Sequence, residues 1–261
     1  MSRAARDGAG ASPERAAARW LAEAFETGAP LAPLPDEVAP RTRRRGEEIA
    51  ALVAECLDLA ACGVRVRPGP GGEPVAGPVL QARLLPDGAA VAPATLRHVR
   101  VTAAVAAVLA ADLAPDGAPD GAPDGAVPAY TRLHPALDLA ATRFRDPPGT
   151  APLSAADLGE LGLLVLGRPV ASPVALDTVP GGAPAAAVRV RLAPPGRRAP
   201  GIGVDLAAAL AGAAAHARRL GGLPAGALLV AAGLTPPLAP GGEGALAASF
   251  GRWGRVRVLF A

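Results

Sequence analysis

The sequence predicts an α+β fold in which helices come first and a β-rich body follows. Three observations carry that expectation. Two helical apolar patterns precede residue 64. One long, unbroken run of small and β-branched residues occupies 97–113. Short apolar runs separated by Gly- and Pro-bearing turns fill much of the remainder. With 261 residues the chain is long enough for one sizeable domain or two small ones. It is 51% apolar but only 3% aromatic, so the core has to be built from Ala, Val and Leu.

The chain divides into residues 1–11, expected to be disordered, a helical region at 12–63, and the β-rich body at 64–261. Ser12-Pro13-Glu14 is a helix start, with Ser as cap, Pro in the first turn and an acid at the positive end of the dipole. Trp20, Leu21, Ala24 and Phe25 form its apolar stripe. Residues 28–35 read as a linker. A second helix is expected from 42 to 61, with Ile49, Leu52, Val53, Cys56, Leu57 and Ala60 on one face and Gly63 as its stop. Cys56 and Cys62 are the only cysteines. Six helical residues separate them by about 9 Å of rise, too far for a disulfide, so both are expected as reduced core residues.

In the body, 64–67 reads as a short strand, and 79–84 with 89–91 as a hairpin around Pro86-Asp87-Gly88. Residues 97–113 read as one buried strand, closed by the turn Ala114-Pro115-Asp116-Gly117. Side chains two apart share a strand face, which places His98, Arg100, Thr102 and Ala104 together. Residues 114–126 carry Ala-Pro-Asp-Gly in tandem and read as a flexible surface loop. Its aspartates lack the closing Glu of a calcium loop. A strand at 186–192, a polar loop at 194–200, an Ala-rich helix at 205–220 and a last strand near 253–256 complete the order.

Several function classes are excluded at this level. All 26 basic residues are Arg and the net charge is +3. The one dense basic run, at 41–45, is followed at once by Glu47 and Glu48, as at a solvated helix start. Without an aromatic-basic face, nucleic acid is not an expected partner. The charged first ten residues lead into no apolar run, and no stretch has membrane-spanning length, so a cytoplasmic protein is expected. No Ser-His-Asp set with a nucleophile elbow, no His-Glu-x-x-His and no Gly-rich phosphate loop is present.

The run at 97–113, together with HPALDLAATRFRD at 134–146, resembles the core of the 2-oxopent-4-enoate hydratase / 4-oxalocrotonate decarboxylase family, within the fumarylacetoacetate hydrolase fold group. There the strand reads Arg-x-Glu-x-Glu-x-Ala and the later segment Pro-Ala-Leu-Glu…Arg-x-x-Asp, and three glutamates hold a divalent metal. Here Thr102 and Ala104 stand at the paired positions and Asp138 at the third. Gly63-Val64-Arg65-Val66-Arg67 stands where the family has Gly-x-Lys-x-Gly, whose Lys approaches the substrate carboxylate, so Arg65 is its equivalent. The run at 157–167 resembles Asp-Asn-x-Ser-x-Gly…Gly, with Leu158 for Asn and Glu160 for Ser. The run at 223–232 resembles Leu-x-Ala-Gly-Asp-x-Ile-x-Thr-Gly, with Ala231-Ala232 at the end. Trp253-Gly254-Arg255-Val256 resembles the family's terminal Ile-Gly-x-Val. The resemblance spans 12–261 apart from the repeat. It implies a mixed β-sandwich/β-roll behind N-terminal helices, and an oligomer.

The departures reshape the expected chemistry. Thr102 offers one neutral oxygen, Ala104 none and Asp138 a single carboxylate, so neither metal nor other cofactor is expected. The remaining candidates are Asp138 and Glu160 as proton carriers, with His98 as a third catalytic candidate. Arg65, Arg100, Thr102 and Arg143 are candidates for substrate binding. Arg can grip a carboxylate in two bonds, and fixed donors can stabilise a developing enolate in place of a metal. A structural pairing of Asp138 with Arg143 or Arg145 is the competing assignment. Asp157 is expected as a cap, His134 as a turn residue and His216 on a helix surface. Two functions follow. One is a metal-independent lyase, hydratase, isomerase or cyclase acting on a small carbonyl compound, a 2-oxo acid or polyketide-like intermediate in specialised metabolism. The other is a non-catalytic binding or scaffolding subunit, in a homo-oligomer or with an active homologous hydratase.

Overall fold

A computed structural model describes residues 12–117, 126–170, 187–197 and 199–261. The expectations for residues 1–11 and for most of the Ala-Pro-Asp-Gly repeat lie outside the described residues. Helix α1, Pro13–Thr27, starts as its sequence predicts: Ser12 Oγ accepts from the Arg15 N–H at 3.3 Å, and Gly28 closes the helix at φ 70°. Its buried face is Ala17, Ala18, Leu21, Ala22 and Ala24, while Trp20 stays 39% exposed. Leu21 and Ala24 of the expected stripe face the core and Phe25 packs against it, whereas Trp20 points outward and Ala17, Ala18 and Ala22 complete the buried face.

Helix α2, Arg43–Cys56, begins at a Thr42 cap and ends well before residue 61. Asp58 turns the chain at φ 51°, and strand β1, Ala61–Pro68, follows. Gly63 is therefore no helix stop. It lies inside β1, where a Cβ would sit 2.0 Å from the Leu228 carbonyl oxygen, so only glycine allows the two strands to approach. The cysteines are corrected too: Cys56 is exposed and Cys62 half-buried, and both are free thiols.

β1 pairs antiparallel with β2, Pro74–Leu80. Strand β3, Leu84–Pro86, and strand β4, Ala90–Val91, do not form the expected hairpin. β3 pairs parallel with β7, Leu161–Leu166, and β4 pairs parallel with β12, Arg255–Phe260, in a different sheet. The turn at Gly88, φ 81°, carries the chain from one sheet to the other. The long strand is β5, Arg100–Leu109, paired antiparallel with β6, Tyr130–Ala140. Helix α3, Ala151–Ala156, leads to β7. Then come β8, Ala187–Ala193, β9, Ile202–Asp205, α4, Leu206–Arg219, β10, Leu228–Ala231, and β11, Gly244–Ser249. Asp205 caps α4 through its Oδ1 and the Ala208 N–H at 3.1 Å.

One sheet has the order β2-β1-β10-β5-β6-β7-β3, the other β4-β12-β11-β8-β9. The first sheet presents Val101, Ala103, Val105, Leu137, Leu139 and Leu229 to α4 and to the inner face of the second sheet, and this interface is the main core. Removing a Leu of this kind from water contributes roughly 1.5–3 kcal/mol. The opposite face of the first sheet carries Ala104, Ala106, Ala136, Leu164 and Val230. By strand alternation it also carries Arg65, Arg67, Arg100, Thr102 and Asp138. Helices α1 and α2 form a second apolar cluster with Leu158, Leu161 and Phe144 at the end of that face.

Candidate active site

Register brings the polar residues of that face together. Thr102 on β5 lies opposite Asp138 on β6, and Asp138 lies opposite Leu164 on β7. On β1, Arg65 lies opposite Gly77 of β2. A Cβ on Gly77 would stand 2.3 Å from the Leu158 carbonyl oxygen, so the loop after α3 presses directly onto the sheet there. That loop has three consecutive left-handed residues: Leu158 at φ 54°, Gly159 at 62° and Glu160 at 61°. Two of them carry side chains, and each such residue costs roughly 1–2 kcal/mol. Surrounding contacts hold the loop in place. Such strain clusters where a side chain must be aimed.

Glu160, only 2% exposed, is the side chain so aimed. Ser154 Oγ donates to its Oε1 at 2.6 Å, Arg100 Nη2 donates to its Oε2 at 2.5 Å, and Arg67 Nη1 stands 2.9 Å from Oε1. The Arg67 contact is a close ion pair without hydrogen-bond alignment. Arg65, 1% exposed, donates from Nη1 to Asp138 Oδ2 at 3.2 Å and from Nη2 to the Gly159 carbonyl at 2.7 Å. Asp138 is fully buried, and its Oδ1 has no hydrogen-bond partner, nor has Arg65 Nε. Three guanidiniums thus surround two carboxylates. Only Arg100 reaches solvent, with 42% of its side chain exposed.

The two carboxylates are driven in opposite directions. Burial pushes Asp138 above the usual carboxylate range, against the opposing pull of Arg65 and Arg67. Burial also pushes Glu160 up, but Arg67, the Ser154 hydroxyl and Arg100 together outweigh it and hold Glu160 below its ordinary value. Arg65 is pushed down by its own burial.

Asp138, Glu160, Arg65 and Arg100 meet in this cluster. Thr102 shares the sheet face, 7% exposed, and its Oγ1 accepts from the Gly233 N–H at 3.2 Å. His98 does not share the face. The strand starts at Arg100, and His98 sits in the preceding turn at φ 50°, exposed, with Nε2 2.8 Å from the Arg145 carbonyl. Arg143 binds elsewhere: its Nε donates to Asp157 Oδ1 at 2.5 Å, Nη1 to the Leu161 carbonyl at 2.5 Å and Nη2 to the Asp157 carbonyl. With Thr142 Oγ1, which donates to Asp157 Oδ2 at 2.6 Å, it clamps both ends of the left-handed loop. Asp138 pairs with Arg65, not with Arg143 or Arg145. Arg67 and Ser154 are additions that sequence reasoning missed. Arg67 had a visible signal, since it follows Arg65 by two on a strand. Ser154 had none, because six residues of chain and a strained loop separate it from Glu160. A cleft of about 1120 Å³ bordered by Arg43, Glu47, Cys62, Arg219 and Leu220 lies elsewhere and includes neither carboxylate of the cluster.

No family model matches the chain, and no curated protein matches it. Solved structures do, and they show the class: a fumarylacetoacetate hydrolase-like α+β fold, found in decarboxylases, hydrolases and isomerases. In particular, the chain is similar to 4-oxalocrotonate decarboxylase from Pseudomonas putida G7. In its complex with magnesium and adipate that structure is 17% identical, with a TM-score of 0.73 over 95% of this chain and 97% of the other. Its complex with calcium and acetate gives 19% identity, a TM-score of 0.71 and the same coverage. Fumarylacetoacetate hydrolase from psychrophilic Exiguobacterium antarcticum is 13% identical, with a TM-score of 0.53 over 77% of this chain and 75% of the other. At these identities the likeness is one of fold.

The decarboxylase structures are complexed with magnesium or calcium. A hard cation takes six or more oxygen ligands and favours carboxylates. Among the described residues no three His, Cys, Asp or Glu side chains are placed to hold one. Ala104 has no donor atom, Thr102 Oγ1 is engaged by Gly233, and Asp138 Oδ2 faces a guanidinium. The residues do not fit a divalent ion.

Proposed function

We propose that the chain catalyses metal-independent proton transfer next to the carbonyl of a small 2-oxo acid, as a lyase, hydratase or isomerase does. The observation that carries this reading is the free Oδ1 of Asp138, a buried carboxyl oxygen without a partner, beside guanidiniums fixed by the sheet. Arg100, the exposed member, meets the incoming carboxylate. Arg65 and Arg67 supply positive charge where the carbonyl oxygen becomes an enolate oxygen. Asp138 Oδ1 takes the proton from the carbon beside the carbonyl. The C–H pair becomes the C=C bond, and the carbonyl π pair moves to oxygen. Burial raises the proton affinity of Asp138 above that of an ordinary carboxylate, which makes it the stronger base of the two. Glu160 remains ionised and positions Arg67 and Arg100.

The test is proton exchange. Pyruvate and 2-oxobutanoate, incubated with the protein in D₂O and EDTA, are followed by proton NMR. Loss of the signal from the carbon beside the carbonyl faster than in buffer, abolished by Asp138→Asn, supports the reading. An exchange rate equal to the buffer blank rejects it.

A second reading has its own observation: Asp138 is entirely enclosed, and both carboxylates of the cluster are already paired with guanidiniums. A non-catalytic subunit would look like this. It predicts no exchange with any 2-oxo acid and a defined complex with an active hydratase homologue in sedimentation.

A further inference from the structure

We infer that Arg65 and Arg67 are the resident cation of this site: their two guanidiniums do permanently what a divalent ion does among carboxylates, and the cluster takes up neither magnesium nor manganese. The claim concerns charge balance and does not rest on turnover, so it stands or falls apart from the proton-transfer reading.

Two buried guanidiniums carry the charge of one divalent ion. Arg65 is 1% exposed and Arg67 8%, and burying such groups is strongly unfavourable unless each meets an opposite charge. Each does: Arg65 faces Asp138 at 3.2 Å and Arg67 faces Glu160 at 2.9 Å. The pairing is fixed by the fold, since both arginines lie on one face of β1 and Glu160 is aimed by the strained loop that Arg65 itself binds through the Gly159 carbonyl. Among the described residues the same sheet face has no other acid to recruit. Ala104, fully buried, packs with Ala106, Ala136 and Val230, and Thr102 is bound to Gly233. Arg65, Arg67 and Asp138, Glu160 cancel, and Arg100 then leaves a net charge of +1 at the only exposed edge. A cation entering there meets repulsion, and a monoanion meets attraction.

The whole chain is titrated with manganese, and the free ion is read by electron paramagnetic resonance. The free-ion signal is expected to rise as in buffer up to millimolar concentration, and the thermal midpoint to be the same in EDTA as in millimolar magnesium. One manganese bound per chain at micromolar concentration, and lost in Asp138→Asn, overturns the inference. A second arm removes half of the pair. Arg65→Met leaves Asp138 buried without its counter-charge and is expected to lower the midpoint by about 10 °C. Arg65→Met combined with Asp138→Leu removes both charges and is expected to recover at least half of that loss. An unchanged midpoint in Arg65→Met overturns the inference. Should that variant fail to fold, the manganese titration of the unaltered chain still decides.

Discussion

Asp138 and Glu160 show how two carboxylates under the same guanidiniums come to differ. Glu160 accepts from Ser154 and Arg100 and lies against Arg67, so each of its oxygens is engaged. Asp138 has one engaged oxygen and one free, in a fully buried site. The group held low works as a fixed anion, and the group pushed high can exchange a proton. The signs of their pH effects are therefore opposite. Glu160 is held below its ordinary 4.5, so its stabilisation is present above the unfolded value and is lost as pH falls through the folded one. Glu160→Gln has no such contribution to lose. Its thermal midpoint is expected to lie below that of the parent at neutral pH, and the two curves to converge on acidification below 4.5. Parallel curves across that range would contradict the assignment. Asp138, raised above 3.8, works the other way: its proton is held more tightly in the folded chain, so that contribution is lost as pH rises through the folded value. In the proposed reaction Arg100, whose side chain is 42% exposed, meets the substrate carboxylate, so Arg100→Ala is expected to raise the 2-oxo acid concentration needed for half-maximal exchange about tenfold or more. An unchanged concentration dependence would remove Arg100 from substrate binding. At this scale Arg65, Asp138, Glu160 and Arg100 were legible from strand alternation and motif order. His98 was not, because a periodic pattern does not show where a strand begins, and the chain enters β5 two residues after it.

At the scale of elements, close approach and chain reversal decide where sequence reading succeeds. The starts of α1 and α4 were readable because Ser12 and Asp205 cap locally. The end of α2 was not, because Leu57 and Ala60 continue the apolar period past the actual stop. Asp58 adopts φ 51° at an exposed position there, so Asp58→Gly is expected to stabilise the fold by up to about 1 kcal/mol, measured by urea unfolding. Destabilisation would show that the Asp side chain supports the turn. The hairpin at Pro86-Asp87-Gly88 was misread because turn chemistry fixes a reversal but not the sheet each arm joins. Gly63 is the sharpest case. Its glycine reads as a helix stop in sequence, yet it is required by backbone contact between β1 and β10. Gly63→Ala is expected to cost about 3 kcal/mol or to prevent folding, because the obstructing atom belongs to the Leu228 backbone. A cost below about 1 kcal/mol would mean that the strands can part freely.

At the scale of the molecule, the two sheets separate two tasks. The first sheet turns one face to α4 and the second sheet, which supply the core, and the other to the charged cluster. No helix among the described residues is long and apolar enough to cross a membrane. The fold was legible because the order of weak motifs survives at low identity, and the match to solved structures extends over 95% of the chain. The site was legible only in part, because its charged groups come from distant positions: Arg65 and Arg67 on β1, Arg100 on β5, Asp138 on β6, and Glu160 aimed from the loop after α3. If guanidiniums take the place of a divalent ion, no such ion can enter between Thr102 and Asp138. Diffraction from crystals soaked in manganese chloride, collected at an energy where manganese scatters anomalously, examines this directly. No anomalous peak is expected between Thr102 and Asp138, and the Arg65 guanidinium density is expected against Asp138. A strong peak coordinated by Asp138, with Arg65 swung away, would contradict it.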